Sequence, residues 1–158
     1  MQNRSRPRLA ELKSWLPLLC AAPLLAANAP AERAGTDVTI SVAELRNTHG
    51  TVMACMTANV ERFPRCQGDP NSYRAKVPAG RAGSVEFHGV RPGRYAIALL
   101  HDENSNGKAD RALSMIPKEG FGFSRDAKVK MGPPSFEDAA ISVGAAPVRQ
   151  IIRMRYML

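Results

Sequence analysis

The amino-acid sequence predicts an all-β fold, a single antiparallel β-sandwich of about seven short strands preceded by an export signal. Three observations predict it. Apolar residues alternate with polar ones at Val38, Ile40 and Val42, at Val85 and Phe87, and at Tyr95, Ile97 and Leu99, the period of two expected of half-buried strands. Turn-forming groups, Asn47-Thr48-His49-Gly50 and Pro92-Gly93 among them, separate these runs. After residue 29 no long helical period is sustained.

Residues 1–29 carry the export signal. Arg4, Arg6, Arg8 and Lys13 outweigh Glu11, an apolar stretch follows from Trp15 to Ala27, and the small-residue run Ala27-Asn28-Ala29 closes it. The stretch is shorter than the roughly 20 apolar residues of a membrane span and has the three-part form of a secretory signal. Cleavage is expected after Ala29, with Ala26 and Ala27 as competing positions. Bulky Leu19 before Cys20 disfavours a lipoprotein. The mature chain is therefore expected in the periplasm or outside the cell, without a transmembrane segment.

The whole chain carries 22 basic and 14 acidic residues; residues 1–29 hold four of the former and one of the latter, which leaves 129 residues at about +5. That length suits one domain. The excess charge is scattered, without the basic stripe and stacking groups of a nucleic-acid binder, so no nucleic-acid partner is expected. Cys55 and Cys66 are the two cysteines left after cleavage, and an oxidising compartment permits a structural disulfide between them.

In the mature region, residues 30–37 read as a flexible lead-in and residues 38–158 as the sandwich domain. The first strand holds Val38 to Val42, a second runs from Thr51 to Ala58, and Pro64, Gly68, Asp69 and Pro70 mark a long connection. Tyr73, Ala75 and Val77 form a third strand, and Val85 with Phe87 a fourth. After the Pro92-Gly93 turn, Tyr95, Ile97 and Leu99 share one face of a strand whose other face, Ala96, Ala98 and Leu100, is also apolar, which predicts a central strand covered on both sides. A long loop spans 101–138; its Phe121, Phe123 and Phe136 either pin it to the sandwich by apolar burial or face a ligand. Ile141 and Val143 mark a short strand. In the terminal strand Val148, Ile152, Met154 and Tyr156 oppose Arg149, Arg153 and Arg155, with Gln150 and Ile151 breaking the alternation.

The chemistry concentrates in His101-Asp102-Glu103-Asn104-Ser105-Asn106-Gly107-Lys108-Ala109-Asp110. Counting from Asp102, oxygen-bearing side chains fall at positions 1, 3, 5 and 9 with glycine at 6, the opening of a calcium loop. Asp102, Asn104, Asn106 and Asp110 would supply side-chain oxygens and Lys108 its carbonyl, a hard set that favours Ca2+ over softer metals. Position 12 is Leu113 where a bidentate glutamate is expected, and Glu119 can replace it only if residues 111–118 fold back. The competing reading is a metal-free hairpin in which Asp and Asn bond their own backbone. His101 beside Asp102 and Glu119 admits a hydrolase, but no nucleophile elbow, HExxH or paired-histidine pattern accompanies it. His49 and His88 read as turn or surface residues, and Gly120, Gly122, Gly132, Pro133 and Pro134 do not form a phosphate loop.

The segments YAIALLHDENSNGKAD, IPKEGFGFS and GPPSFEDA together resemble the exported bacterial family called domain of unknown function 2141. The resemblance covers nearly the whole mature region and implies a secreted or periplasmic protein of no established activity. The family pattern after the aspartate is similar to D-x-N-x-x-G-I-P; Asp110 and Ile116-Pro117 agree, while Ala112 and Met115 depart from it, which removes one polar ligand. PGRYAIAL is similar to the closing hairpin of transthyretin-like or carboxypeptidase-regulatory-like sandwiches, which implies an immunoglobulin-like or transthyretin-like sandwich. The expected function is a non-catalytic structural or binding module of the cell envelope, calcium-stabilised and presented to an envelope protein or glycan. Its alternatives are a calcium-independent accessory domain and a hydrolase using His101 and Glu119.

Overall fold

The computed structural model describes residues 35–112 and 116–158, all of them inside a compact unit, Ala31–Leu158. The expected export signal, residues 30–34 and residues 113–115, Leu113 among them, lie outside the described residues. Among the described residues ten strands follow in chain order: β1 (Thr36–Ala43), β2 (Thr51–Thr57), β3 (Tyr73–Pro78), β4 (Ser84–Val90), β5 (Gly93–Asp102), β6 (Arg111–Ala112), β7 (Ile116–Pro117), β8 (Gly120–Phe123), β9 (Ala140–Val143) and β10 (Val148–Arg153). One-turn helix α1 (Phe136–Ala139) is capped by the Ser135 hydroxyl, which accepts the Asp138 N–H.

The result is an all-β, sandwich-like arrangement of two sheets, one ordered β10-β1-β4 and the other β3-β2-β5-β8, with β9 also paired to β5 and β6–β7 forming a separate hairpin. The expected strands are all present, with two corrections. The sandwich is not purely antiparallel, because β1 and β10 pair in parallel from Val38↔Val148 to Ala43↔Arg153. Parallel neighbours need a long crossover, and here nearly the whole domain lies between them. The lead-in also ends earlier than expected: buried Thr36 already pairs with Val90.

Alternation places Val38, Ile40, Ala54, Met56, Val85, Phe87, Tyr95, Ile97, Leu99, Ile152 and Met154 in one core between the sheets. The second apolar face of β5 is covered too: Ala96 and Ala98 lie under Phe123, Phe136, Ala139 and Ala140, with Phe63, Phe121 and Val129 against them. The long loop therefore contributes a layer rather than hanging off the sandwich, and its phenylalanines do the pinning. β5 pairs with β9 over its first half and with β8 over its second. At the break, the fully buried Ser124 hydroxyl accepts the Ile97 N–H at 2.9 Å and donates to the Ala139 carbonyl, filling the gap in the ladder.

At the free edge of β8, Phe121 and Arg155 exchange backbone hydrogen bonds at 3.0 and 2.8 Å, joining this sheet to the chain beyond β10. Glycine is required for that approach. A Cβ at Gly122 would lie 2.7 Å from Ile152 Cγ2 and 2.9 Å from the Arg153 carbonyl oxygen. Cys55 on β2 and Cys66 in the following loop form a disulfide, Cα–Cα 5.8 Å. Among the described residues no helix is long and apolar enough to cross a membrane.

Candidate functional site

β5 delivers His101 and Asp102 to one end of the sandwich, both fully buried. Beyond them the chain curls around the Asp102 carboxylate, which accepts the Asn106 N–H at 3.0 Å and the Gly107 N–H at 2.8 Å. Asn104 Oδ1 accepts the Asn106 N–H, and Asn106 Oδ1 accepts the Lys108 N–H at 2.8 Å. Gly107 takes φ 76°, the left-handed conformation the sharp bend needs. Both side-chain amides then turn toward Asp110, donating to its Oδ2 at 2.8 and 2.9 Å. The two amides thus meet Asp110 through their nitrogens while their oxygens face backbone N–H groups, the Asx bonding expected of the metal-free hairpin.

Glu119 joins them. β6 pairs antiparallel with β7, and the Lys118 N–H donates to the Asp110 carbonyl at 3.0 Å. This returns Glu119, only 4% exposed, to the loop, where its Oε2 accepts the Asp110 N–H at 3.1 Å. Its Oε1 is buried without a hydrogen-bond partner. Burial raises the Glu119 carboxyl above its ordinary 4.5; the Asp110 N–H opposes the rise, and the charges of Asp102 and Asp110 add to it. The Glu103 amide also lowers it but closes no hydrogen bond of ordinary geometry with Oε1. Among the described residues no Lys, Arg or His forms an ion pair with Asp102, Asp110 or Glu119. Nor, among the described residues, are any three His, Cys, Asp or Glu side chains grouped so that they could hold a metal ion. A cation here would need the amide oxygens of Asn104 and Asn106 and the Lys108 carbonyl as well.

The flanking Glu103 behaves oppositely. Arg46 donates to its two oxygens at 3.0 and 2.5 Å and, with Asn47, holds the carboxyl below its ordinary value against burial. Arg46 also donates to the Lys118 carbonyl at 3.1 Å and stacks 4.5 Å over the Tyr156 ring. One guanidinium thus ties the two ends of the acidic segment together. Sequence reasoning missed Arg46, Asn47 and Tyr156; no local motif marks them, because they reach the loop only through the tertiary fold.

His101 takes a structural place. Nε2 lies 2.8 Å from the His49 carbonyl oxygen, a contact only an N–H can make, which leaves Nδ1 to the Tyr156 hydroxyl at 2.8 Å. Neither ring nitrogen is available to a substrate. His88 is exposed beside Asp37 and Glu86. Arg153 and Arg155 are held by Asp126, whose carboxyl is raised by burial but, on balance, lowered by Arg153 and Arg155.

Fold and site together define a small β-sandwich module with a carboxylate-rich loop at one end. The chain belongs to the bacterial family described as "Uncharacterized protein conserved in bacteria (DUF2141)", whose model matches residues 40–151. Neither the curated proteins nor the solved structures contain a match to it.

Proposed function

We propose that this chain is an exported, non-catalytic module of the bacterial cell envelope, of immunoglobulin-like or transthyretin-like type, whose acidic loop binds calcium. One observation carries the cation: Glu119 is buried with Oε1 unpartnered, beside buried Asp102 and half-buried Asp110, and among the described residues no basic residue pairs with any of them. Buried carboxylates left without a cationic partner cost several kcal/mol, and a cation relieves that cost. Two hydrogen bonds on Asp102 leave it further lone pairs for an ion, since a carboxylate offers about four. The donor set is all oxygen, which suits Ca2+. Asp102, Asn104, Asn106, Asp110 and Glu119 would hold it by side chains and Lys108 by its carbonyl. An ordered loop of this kind suits presentation of a surface to an envelope protein or glycan.

Thermal unfolding with chelator and then with about 1 mM calcium, where extracellular calcium modules fill, tests this. The unaltered protein gains melting temperature, and Asp110→Asn and Glu119→Gln lose the gain. An unchanged melting temperature overturns calcium binding and favours the calcium-independent accessory domain, its loop held by the Asx bonds alone.

A further inference from the structure

At the opposite end of the sandwich two loops meet. One is the β2–β3 connection, closed by the Cys55–Cys66 disulfide; the other precedes α1. They share a furrow lined by Arg62, Phe63, Pro64 and Arg65 from the first and Pro133 from the second, and a hollow lined by Lys128, Lys130 and Met131 adjoins it. Both loops are rooted in the same apolar layer, Phe63 by edge contacts to Phe123 and Phe136 and Val129 by burial beside them.

These rooted loops leave both apolar and basic side chains outside. Val60 is 59% exposed and Met131 is fully exposed. Around them Arg62, Arg65, Lys128 and Lys130 are exposed and, among the described residues, make no ion pair. Among the nearby carboxylates Asp69 is buried against the Thr57 hydroxyl and Glu137 pairs with Arg94. Glu61 in the furrow and Asp138 in the hollow, which accepts the neutral Ser135 hydroxyl and keeps its charge, offset two of the four cations. Arg46, Arg94, Arg153 and Arg155 have carboxylate partners, while Arg74, Arg81, Arg91, Arg111, Arg125 and Arg149 are, among the described residues, as unpaired as the cations of this pole.

We propose that this pole docks on an anionic lipid surface, Val60 and Met131 entering the interfacial zone while Arg62, Arg65, Lys128 and Lys130 face the lipid phosphates. Apolar tips ringed by cations use both terms of interfacial binding, apolar burial and attraction to anionic headgroups. Each cation at such a surface contributes roughly a fivefold gain in affinity. A soluble polyanion would use the cations but give Met131 no role. The proposal does not depend on the acidic loop.

The test is cosedimentation of the Ala31–Leu158 unit, after its cooperative unfolding has been verified, with phosphatidylglycerol–phosphatidylcholine vesicles and with phosphatidylcholine alone. Binding is expected to the anionic vesicles only and to be reversed by high salt. Lys128→Glu/Lys130→Glu lowers it at least about tenfold, and the uncharged Met131→Ser lowers it severalfold without changing retention on immobilised heparin. Lys76→Glu/Arg149→Glu, an equal charge change on the sheet faces, leaves it intact. Retention on heparin without vesicle binding, or equal binding by the unaltered protein and the Lys128/Lys130 and Met131 variants, overturns the proposal.

Discussion

Glu103 and Glu119 are carboxylates of one loop system with opposite electrostatics. Glu103 is held low by Arg46 and Asn47, so its contribution to stability is present above its unfolded value near 4.5 and is lost as pH falls through the lowered folded value. Glu119 is raised by burial and by Asp102 and Asp110, so the folded protein holds its proton more tightly than the unfolded chain. Its contribution is complete below 4.5 and is lost as pH rises through the raised value. Without calcium, Glu119→Gln is therefore expected to raise the melting temperature at neutral pH by on the order of a few degrees and to flatten its decline above the unfolded carboxylate value. Melting curves across that pH window, in chelator, check this. A variant that tracks the unaltered protein at every pH would show that Glu119 carries no electrostatic strain.

Among the elements, β5 depends on a single hydroxyl where its neighbour changes from β9 to β8. Ser124→Ala strands the buried Ile97 N–H and removes a donor from the Ala139 carbonyl, and should cost about 1–3 kcal/mol in urea unfolding. A loss below about 0.5 kcal/mol, the size of an ordinary surface substitution, would mean that Ile97 finds another acceptor. Most of the strands around β5 were legible, because Val38–Val42, Val85–Phe87 and Tyr95–Leu99 alternate with the period of the pleat. β8 was not. In Gly-Phe-Gly-Phe the residues facing β10 are glycines, present because any Cβ would collide with Tyr156 or Ile152, and a missing side chain leaves no apolar signal. The parallel partnership of β1 and β10 was illegible for a different reason: period and turn chemistry identify strands but not the neighbour a terminal strand selects. At the site, spacing alone brought out Asp102, Asn104, Asn106 and Asp110, and Glu119 was tied to a fold-back that β6–β7 provides. The Arg46 clamp lies 57 residues from Glu103 and leaves no local trace.

Across the whole molecule, the acidic loop and the cationic loops occupy opposite ends of the same two strands. Thr51 pairs with Asp102 at one end and Thr57 with Ala96 at the other. Six residues of extended chain at roughly 3.3 Å each separate these ends by about 20 Å, beyond the distance at which substitutions ordinarily couple. The disulfide belongs to the cationic end, where it closes the loop bearing Arg62 and Phe63. Closing a loop of this length stabilises by about 3 kcal/mol on the chain-entropy account. Cys55→Ser/Cys66→Ser is expected to lower stability by about that amount while preserving the calcium-dependent gain in melting temperature. Unfolding of both forms, with chelator and with calcium, separates the two quantities. If the gain disappeared with the disulfide, the ends would be coupled through β2, and the sandwich would act as one cooperative device rather than as a rigid frame carrying two independent surfaces.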